Sequence, residues 1–147
     1  MVDSLDKKIL DILKRNSRAS FAAMGREIGL SPSSVRERIQ KLEDLGVIKS
    51  YDIQIDQAMM GNGLEVFILL KIFSGKLKKM IEEVNSFPEV QEAYRITGPH
   101  NIHLKVVLRD QLHLQRFIDK LINFGDPTTL LILSELKRGH KSANINL

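Results

Sequence analysis

Leu5, Ile9, Ile12 and Leu13 recur at i, i+4, i+7 and i+8 behind a start marked by Asp3 or Ser4, and this spacing predicts an amphipathic helix. A second helix is expected after Ser20, an N-cap by residue type, with Met24 and Ile28 four apart and facing one core. Gly29 ends that helix, Leu30 packs back, Ser31 caps the next, and Pro32 takes the first helical position, where its missing N–H does no harm. Val35, Ile39 and Leu42 then give a third helix its inward stripe. Gly25 lies inside the second helix at a cost of about 1 kcal/mol relative to Ala, so it is expected to let the third helix approach closely.

After Gly46, the alternation of Tyr51, Ile53 and Ile55 with Asp52, Gln54 and Asp56 predicts a strand with one apolar and one acidic face. Residues 63–73 are apolar and β-branched enough for a buried strand. Leu77, Met80, Ile81 and Val84 mark a helix that ends near Phe87-Pro88, and strands are expected over 90–97 and 102–109 around a loop at 98–101. Asp110 caps a helix carrying Leu114, Phe117, Ile118 and Leu121, and a last strand is predicted over 128–136 after Gly125-Asp126-Pro127. The order βαββαβ is a ferredoxin-like plan.

The expected fold class is therefore α+β. A helix-turn-helix domain spans 1–48, a linker strand and hinge 49–62, a ferredoxin-like domain 63–137 and a polar tail with His140, Lys141 and Ser142 the stretch 138–147. In the first strand of the second domain Phe67, Leu69 and Phe73 oppose the face made by Leu64, Val66, Ile68, Leu70 and Ile72, so both faces are apolar. A second copy of the same sheet is the economical cover, and a homodimer follows.

A short turn between two such helices makes double-stranded DNA the first partner to consider. The outward face of the third helix carries Ser33, Ser34, Arg36, Glu37, Arg38, Gln40 and Lys41. Arginine can read guanine O6 and N7 through two parallel hydrogen bonds or clamp a phosphate, and serine suits either target. The candidate DNA-binding residues are Ser20, Ser31, Ser33, Ser34, Arg36, Arg38 and Lys41, with Arg38 also placed to pair with Glu37 or Asp44 as scaffold. Charge sharpens this, because the chain is +4 overall yet the excess is local: between Lys14 and Lys49 stand 8 basic residues against 4 acidic ones.

Composition removes other classes. There is no Cys, hence no disulfide framework and no thiolate nucleophile or metal site. His100 and His103 are three apart, but one falls in a turn and the other in a strand, with His113 further on and no acidic partner, so neither a metal site nor catalytic residues are expected. No apolar run reaches about 18 residues and the N-terminal helix lacks the core of a signal peptide, so no membrane association and a cytoplasmic location are expected.

Leu5-Asp6 with Ile9-Leu10, then Gly29-Leu30-Ser31 with Val35, Arg38, Leu42 and Gly46-Val47-Ile48, and finally Thr97-Gly98 carry a resemblance over nearly the whole chain. The chain resembles the Lrp/AsnC family of bacterial and archaeal transcription regulators, the feast/famine proteins. The resemblance implies a winged-type helix-turn-helix joined by a strand to an ACT-like sensing domain, with sheets back to back in a dimer that assembles further, commonly to an octamer. It also implies a small effector, usually an amino acid, bound between sensing domains near the loop that here is Thr97, Gly98, Pro99, His100 and Asn101; apart from the resemblance, Thr129 and Ser134 on the last strand are other candidate contacts, and no cofactor is expected. An acidic residue commonly follows that glycine in the family, and here His100 and Asn101 stand instead. Two other readings share the architecture. One is an architectural DNA-binding protein without effector; the other is an enzyme similar to the sirohaem decarboxylases, for which His100, His103, Arg95 and Arg109 are available but the aromatic-rich strand is not.

Overall fold

The computed structural model describes residues 1–139 and 141–142, and the chain divides into two compact units, Met1–Gln54 with the segment from Glu135 onward, and Ile55–Ser134. His140 and residues 143–147 of the expected tail lie outside the described residues.

In the first unit α1 (Ser4–Arg15), α2 (Phe21–Ile28) and α3 (Pro32–Asp44) bury the stripes that periodicity marks out: Ile9, Ile12, Met24, Val35 and Ile39 form one core, with Leu13, Ala19, Ile28, Leu30 and Ile48 packed on it. The segment after α3 departs from expectation. Residues 51–56 form no strand, because an alternating segment needs a partner ladder and none of the described residues offers one. Ile53 is 82% exposed, while Tyr51 is fastened by its hydroxyl, which donates to the Glu43 carboxylate at 2.8 Å. Desolvation and that carboxylate push the Tyr51 phenol up to about 12. A two-residue ladder, β5 (Lys137–Arg138) against β6 (Lys141–Ser142), instead joins the last residue of the expected second domain to part of the expected tail.

The second unit is a four-stranded antiparallel sheet in the order β2-β3-β1-β4, with β1 (Leu64–Ile72), β2 (Val90–Arg95), β3 (Ile102–Leu108) and β4 (Gly125–Leu131). Helices α4 (Leu77–Glu83) and α5 (Gln111–Leu121) supply Met80, Phe117 and Leu121 to a core completed by Val66, Ile68 and Leu70 of β1 and Ile102, Leu104, Val106 and Leu108 of β3. Both helices therefore cover one face, as the βαββαβ order requires. The opposite face carries Phe67, Leu69, Tyr94, His103 and Leu130; Phe67 and Leu69 stay half-buried, and the Phe67 and His103 rings lie 5.0 Å apart.

The last strand differs at both ends from expectation. It begins at Gly125 and ends at Leu131, after which the Ile132 N–H still reaches β1, donating to the Glu65 carbonyl at 3.0 Å. Leu133 is 90% exposed.

Candidate functional site

The turn between α2 and α3 is built from three local devices. The Ser20 hydroxyl accepts the Ala23 N–H at 3.0 Å and starts α2, Gly29 ends it at φ 75°, and the Ser31 hydroxyl accepts the Ser34 N–H at 3.2 Å to start α3. The Gly29 and Leu30 N–H groups both donate to the Gly25 carbonyl, at 2.8 and 2.9 Å. Gly25 answers to this turn rather than to helix α3 as a whole: a Cβ there would lie 2.2 Å from the Leu30 carbonyl oxygen.

With Val35, Ile39 and Leu42 buried, α3 turns Ser33, Arg36, Glu37, Gln40 and Lys41 to solvent. Ser31, Ser33 and Ser34 gather at its N-terminal end, where the Ser31 hydroxyl lies 3.1 Å from that of Ser33 and donates to that of Ser34 at 2.9 Å. Arg36 and Lys41 have no hydrogen bond or ion pair among the described residues, whereas the Gln40 amide donates to Asp44 at 3.0 Å. This surface presents hydroxyls at a helix N-terminus with the unengaged Arg36 beside them and Lys41 in the last turn, the chemistry that phosphates and guanine edges accept.

Arg38, expected either on the DNA face or paired with Glu37 or Asp44 as scaffold, pairs with neither of those neighbours: its Nη1 donates to Asp3 Oδ2 at 2.7 Å and to Asp6 Oδ1 at 2.9 Å. Asp3 and Asp6 also cap α1 reciprocally: Asp3 Oδ1 accepts the Asp6 N–H at 2.8 Å and Asp6 Oδ2 accepts the Asp3 N–H at 3.0 Å. Asp6 is only 4% exposed. The Arg38 hydrogen bond, with the Asp6 backbone, holds the Asp3 carboxyl down to about 2, and the two carboxylates push the Arg38 guanidinium up. Sequence reasoning missed this pair of acids. Their signal was present, since an acid three residues after a capping acid is a variant of the capping box.

In the second unit the loop between β2 and β3 holds Thr97, Gly98, Pro99, His100 and Asn101. Asn101 is engaged within its own chain. Asn101 Oδ1 accepts the Ile72 N–H at 2.9 Å, its N–H donates to the Leu70 carbonyl at 2.8 Å, and its own carbonyl accepts the Ile96 N–H at 2.9 Å. The loop is thereby tied to the end of β1. Thr129 stands opposite Ile68 on β4, two residues from Pro127, which pairs with Leu70. Ser134 follows Leu131, which pairs with Val66, so it lies toward the other end of β1, more than roughly 13 Å of strand away. Within one chain the structure brings Thr129 toward the loop and leaves Ser134 apart.

The histidines do not converge. His100 is in the loop, His103 stacks beside Phe67, and His113 lies against Glu89, with Nε2 3.2 Å from Oε1. His113 Nδ1 accepts the Arg109 N–H at 3.1 Å, so the proton of the neutral ring sits on Nε2 and points at the carboxylate. Burial would raise Glu89, but the backbone, His113 and Lys120 outweigh it and hold the carboxyl below its ordinary value. Among the described residues no three His, Cys, Asp or Glu side chains gather as a metal site, and no helix is long and apolar enough to cross a membrane.

Comparison with known proteins accounts for both units. A model of the AsnC-type helix-turn-helix domain matches residues 2–43, and one of the Lrp/AsnC ligand binding domain matches residues 65–141. The HTH-type transcriptional regulator YezC of Bacillus subtilis is 38% identical over 133 residues, covering 90% of this chain and 94% of that protein. The solved structure of LrpC from the same organism superimposes with a TM-score of 0.88 at 30% identity, over 93% of this chain and 98% of that one. A transcriptional regulator of Neisseria meningitidis, solved as a complex with L-Met, gives a TM-score of 0.89 at 27% identity over 99% and 98%. With its helix-turn-helix and its antiparallel sheet domain both matched in this way, the chain belongs to the Lrp/AsnC family of DNA-binding transcriptional regulators.

Proposed function

We propose that this regulator reads DNA sequence through Ser33, Ser34, Arg36 and Lys41, with Ser20 and Ser31 fixing the two helix starts, and that a small amino-acid-like effector modulates it. The observation that carries the reading is the N-terminal end of α3, where serine hydroxyls and the unengaged Arg36 share one exposed surface. One such surface makes few phosphate contacts, so useful affinity needs two copies on one duplex. The half-buried Phe67 and Leu69 on the uncovered sheet face support a homodimer, and further assembly to an octamer is in keeping with the family. The setting is cytoplasmic. The chain acts by binding rather than catalysis, in line with relatives that are named as transcriptional regulators.

The effector reading rests on the L-Met complex of the Neisseria regulator and on the loop 97–101, with Thr129 nearby. Because Ser134 is remote from that loop in one chain, it joins the site only from a neighbouring copy.

The test uses the full chain and a duplex enriched by it from a randomised pool. Arg36→Ala should weaken binding to that duplex by about 1–3 kcal/mol while changing affinity for random duplex far less. Equal losses on both duplexes would reduce Arg36 to a phosphate contact, and no loss would remove it from the interface. Calorimetry against a panel of L-amino acids tests the effector, and absence of heat across the panel refutes an amino-acid class.

A further inference from the structure

Apolar stripes hold a helix against its neighbours without fixing its roll, because burial is non-directional. The stripe of α3 is short: Val35, Ile39 and Leu42. Roll matters to a helix that reads bases, since about 10° moves an atom roughly 6 Å from the axis by about 1 Å, beyond the 0.5 Å or so that a binding constellation tolerates. Something directional is needed at the edge of the stripe, and Arg38 stands there, three residues from Val35 and next to Ile39.

We propose that Asp6, together with Asp3, is a positioning residue for DNA reading: the two carboxylates grip Arg38 Nη1 and set the roll of α3, and Arg38 itself does not contact DNA. The inference rests on the reading of α3 as the DNA-facing helix. Three observations carry it. One guanidinium nitrogen serves both acids, at 2.7 and 2.9 Å, which is short and charge-assisted. Asp6 is 4% exposed, and its other oxygen is engaged by the Asp3 N–H, so the carboxylate has no freedom to follow a rolling helix. The acids belong to the capping box of α1, so the start of one helix is mechanically joined to the middle of another. The cluster of one guanidinium and two carboxylates carries a formal charge of −1, which repels a phosphate rather than binding it.

That last point gives the competing possibilities opposite signs. If Asp3 and Asp6 were only surface acids near DNA, neutralising either would tighten binding to every duplex. If they position α3, neutralising them weakens binding to the preferred duplex alone. The experiment measures full-length wild type, Asp6→Asn, Asp3→Asn, Arg38→Met and the double variant Asp6→Asn/Arg38→Met on the enriched duplex and on random duplex, across a salt series and below each protein's unfolding midpoint. Asp6→Asn and Arg38→Met should each bind the enriched duplex about tenfold more weakly, the low end of one lost base contact, with random-duplex affinity not weakened in Asp6→Asn. The double variant should be no worse than either single one, because both remove the same grip. The salt slope of Arg38→Met should equal that of wild type. Tighter or unchanged binding of Asp6→Asn and Asp3→Asn to the enriched duplex overturns the proposal. So does an Arg38→Met slope shallower by about one, which would make Arg38 a phosphate contact. If the wild type enriches no duplex at all, the DNA-reading assignment itself falls. Asp3→Asn guards against misfolding of the more buried variant, since Asp3 is exposed.

Discussion

Replacing Gly25 with Ala sets two effects of opposite sign against each other. Helix propensity favours Ala by about 1 kcal/mol in the interior of α2. The structure opposes it, because the added Cβ would lie 2.2 Å from the Leu30 carbonyl oxygen and 3.2 Å from its carbon, and the obstacle is backbone rather than a movable side chain. Relief requires the turn to shift by about 1 Å, to the ordinary distance of a carbon and an oxygen. That shift pulls on the bonds from the Gly29 and Leu30 N–H groups to the Gly25 carbonyl. Overpacking of this kind costs about 1–3 kcal/mol, and each weakened hydrogen bond up to roughly 1 kcal/mol. The clash wins, for a net loss of about 2 kcal/mol, or roughly 10 °C in the melting of a unit this small. Denaturant unfolding followed by circular dichroism should show a lower midpoint with unchanged slope. Gly29→Ala is the reference: φ is 75° but nothing lies within 4 Å, so only backbone strain of about 1–2 kcal/mol applies. A Gly25→Ala variant as stable as wild type, or more so, would refute the steric account of this turn.

Acid should expose the Asp3 grip. The carboxyl titrates near 2 when folded against 3.8 ordinarily, so its contribution is present above about pH 4 and lost as pH falls through 2; Asp3→Asn should flatten that part of the stability curve, and an unchanged acid limb would contradict the ion pair. Phe67→Glu places a carboxylate on the uncovered sheet face, where burial against a second copy would cost several kcal/mol, so sedimentation should show a smaller species than wild type; the same mass for both would move the interface elsewhere.

The parts of this fold that were legible were those encoded locally. The stripes Ile9-Ile12 and Val35-Ile39-Leu42 mark buried helix faces, and Gly29, Ser31 and Pro32 spell out a turn through their individual backbone preferences. The alternation at 51–56 was legible as a pattern but not as a strand, since pairing depends on a partner that periodicity does not report. Arg38 shows the limit for sites. Its expected partners were neighbours on its own helix, and its actual ones lie 35 and 32 positions away on α1. The bond of Asn101 was illegible for the same reason: the Ile72 N–H that engages it is 29 positions away.

The bonds of Asn101 have a thermodynamic consequence for sensing. A loop already bonded to β1 through both its backbone and its side chain arrives at a binding event with its ordering entropy spent, so a ligand there meets a preformed surface and gains little by reshaping it. If copies of the chain meet at this loop as proposed, the free energy of such a ligand goes into their association rather than into a fold change within one subunit.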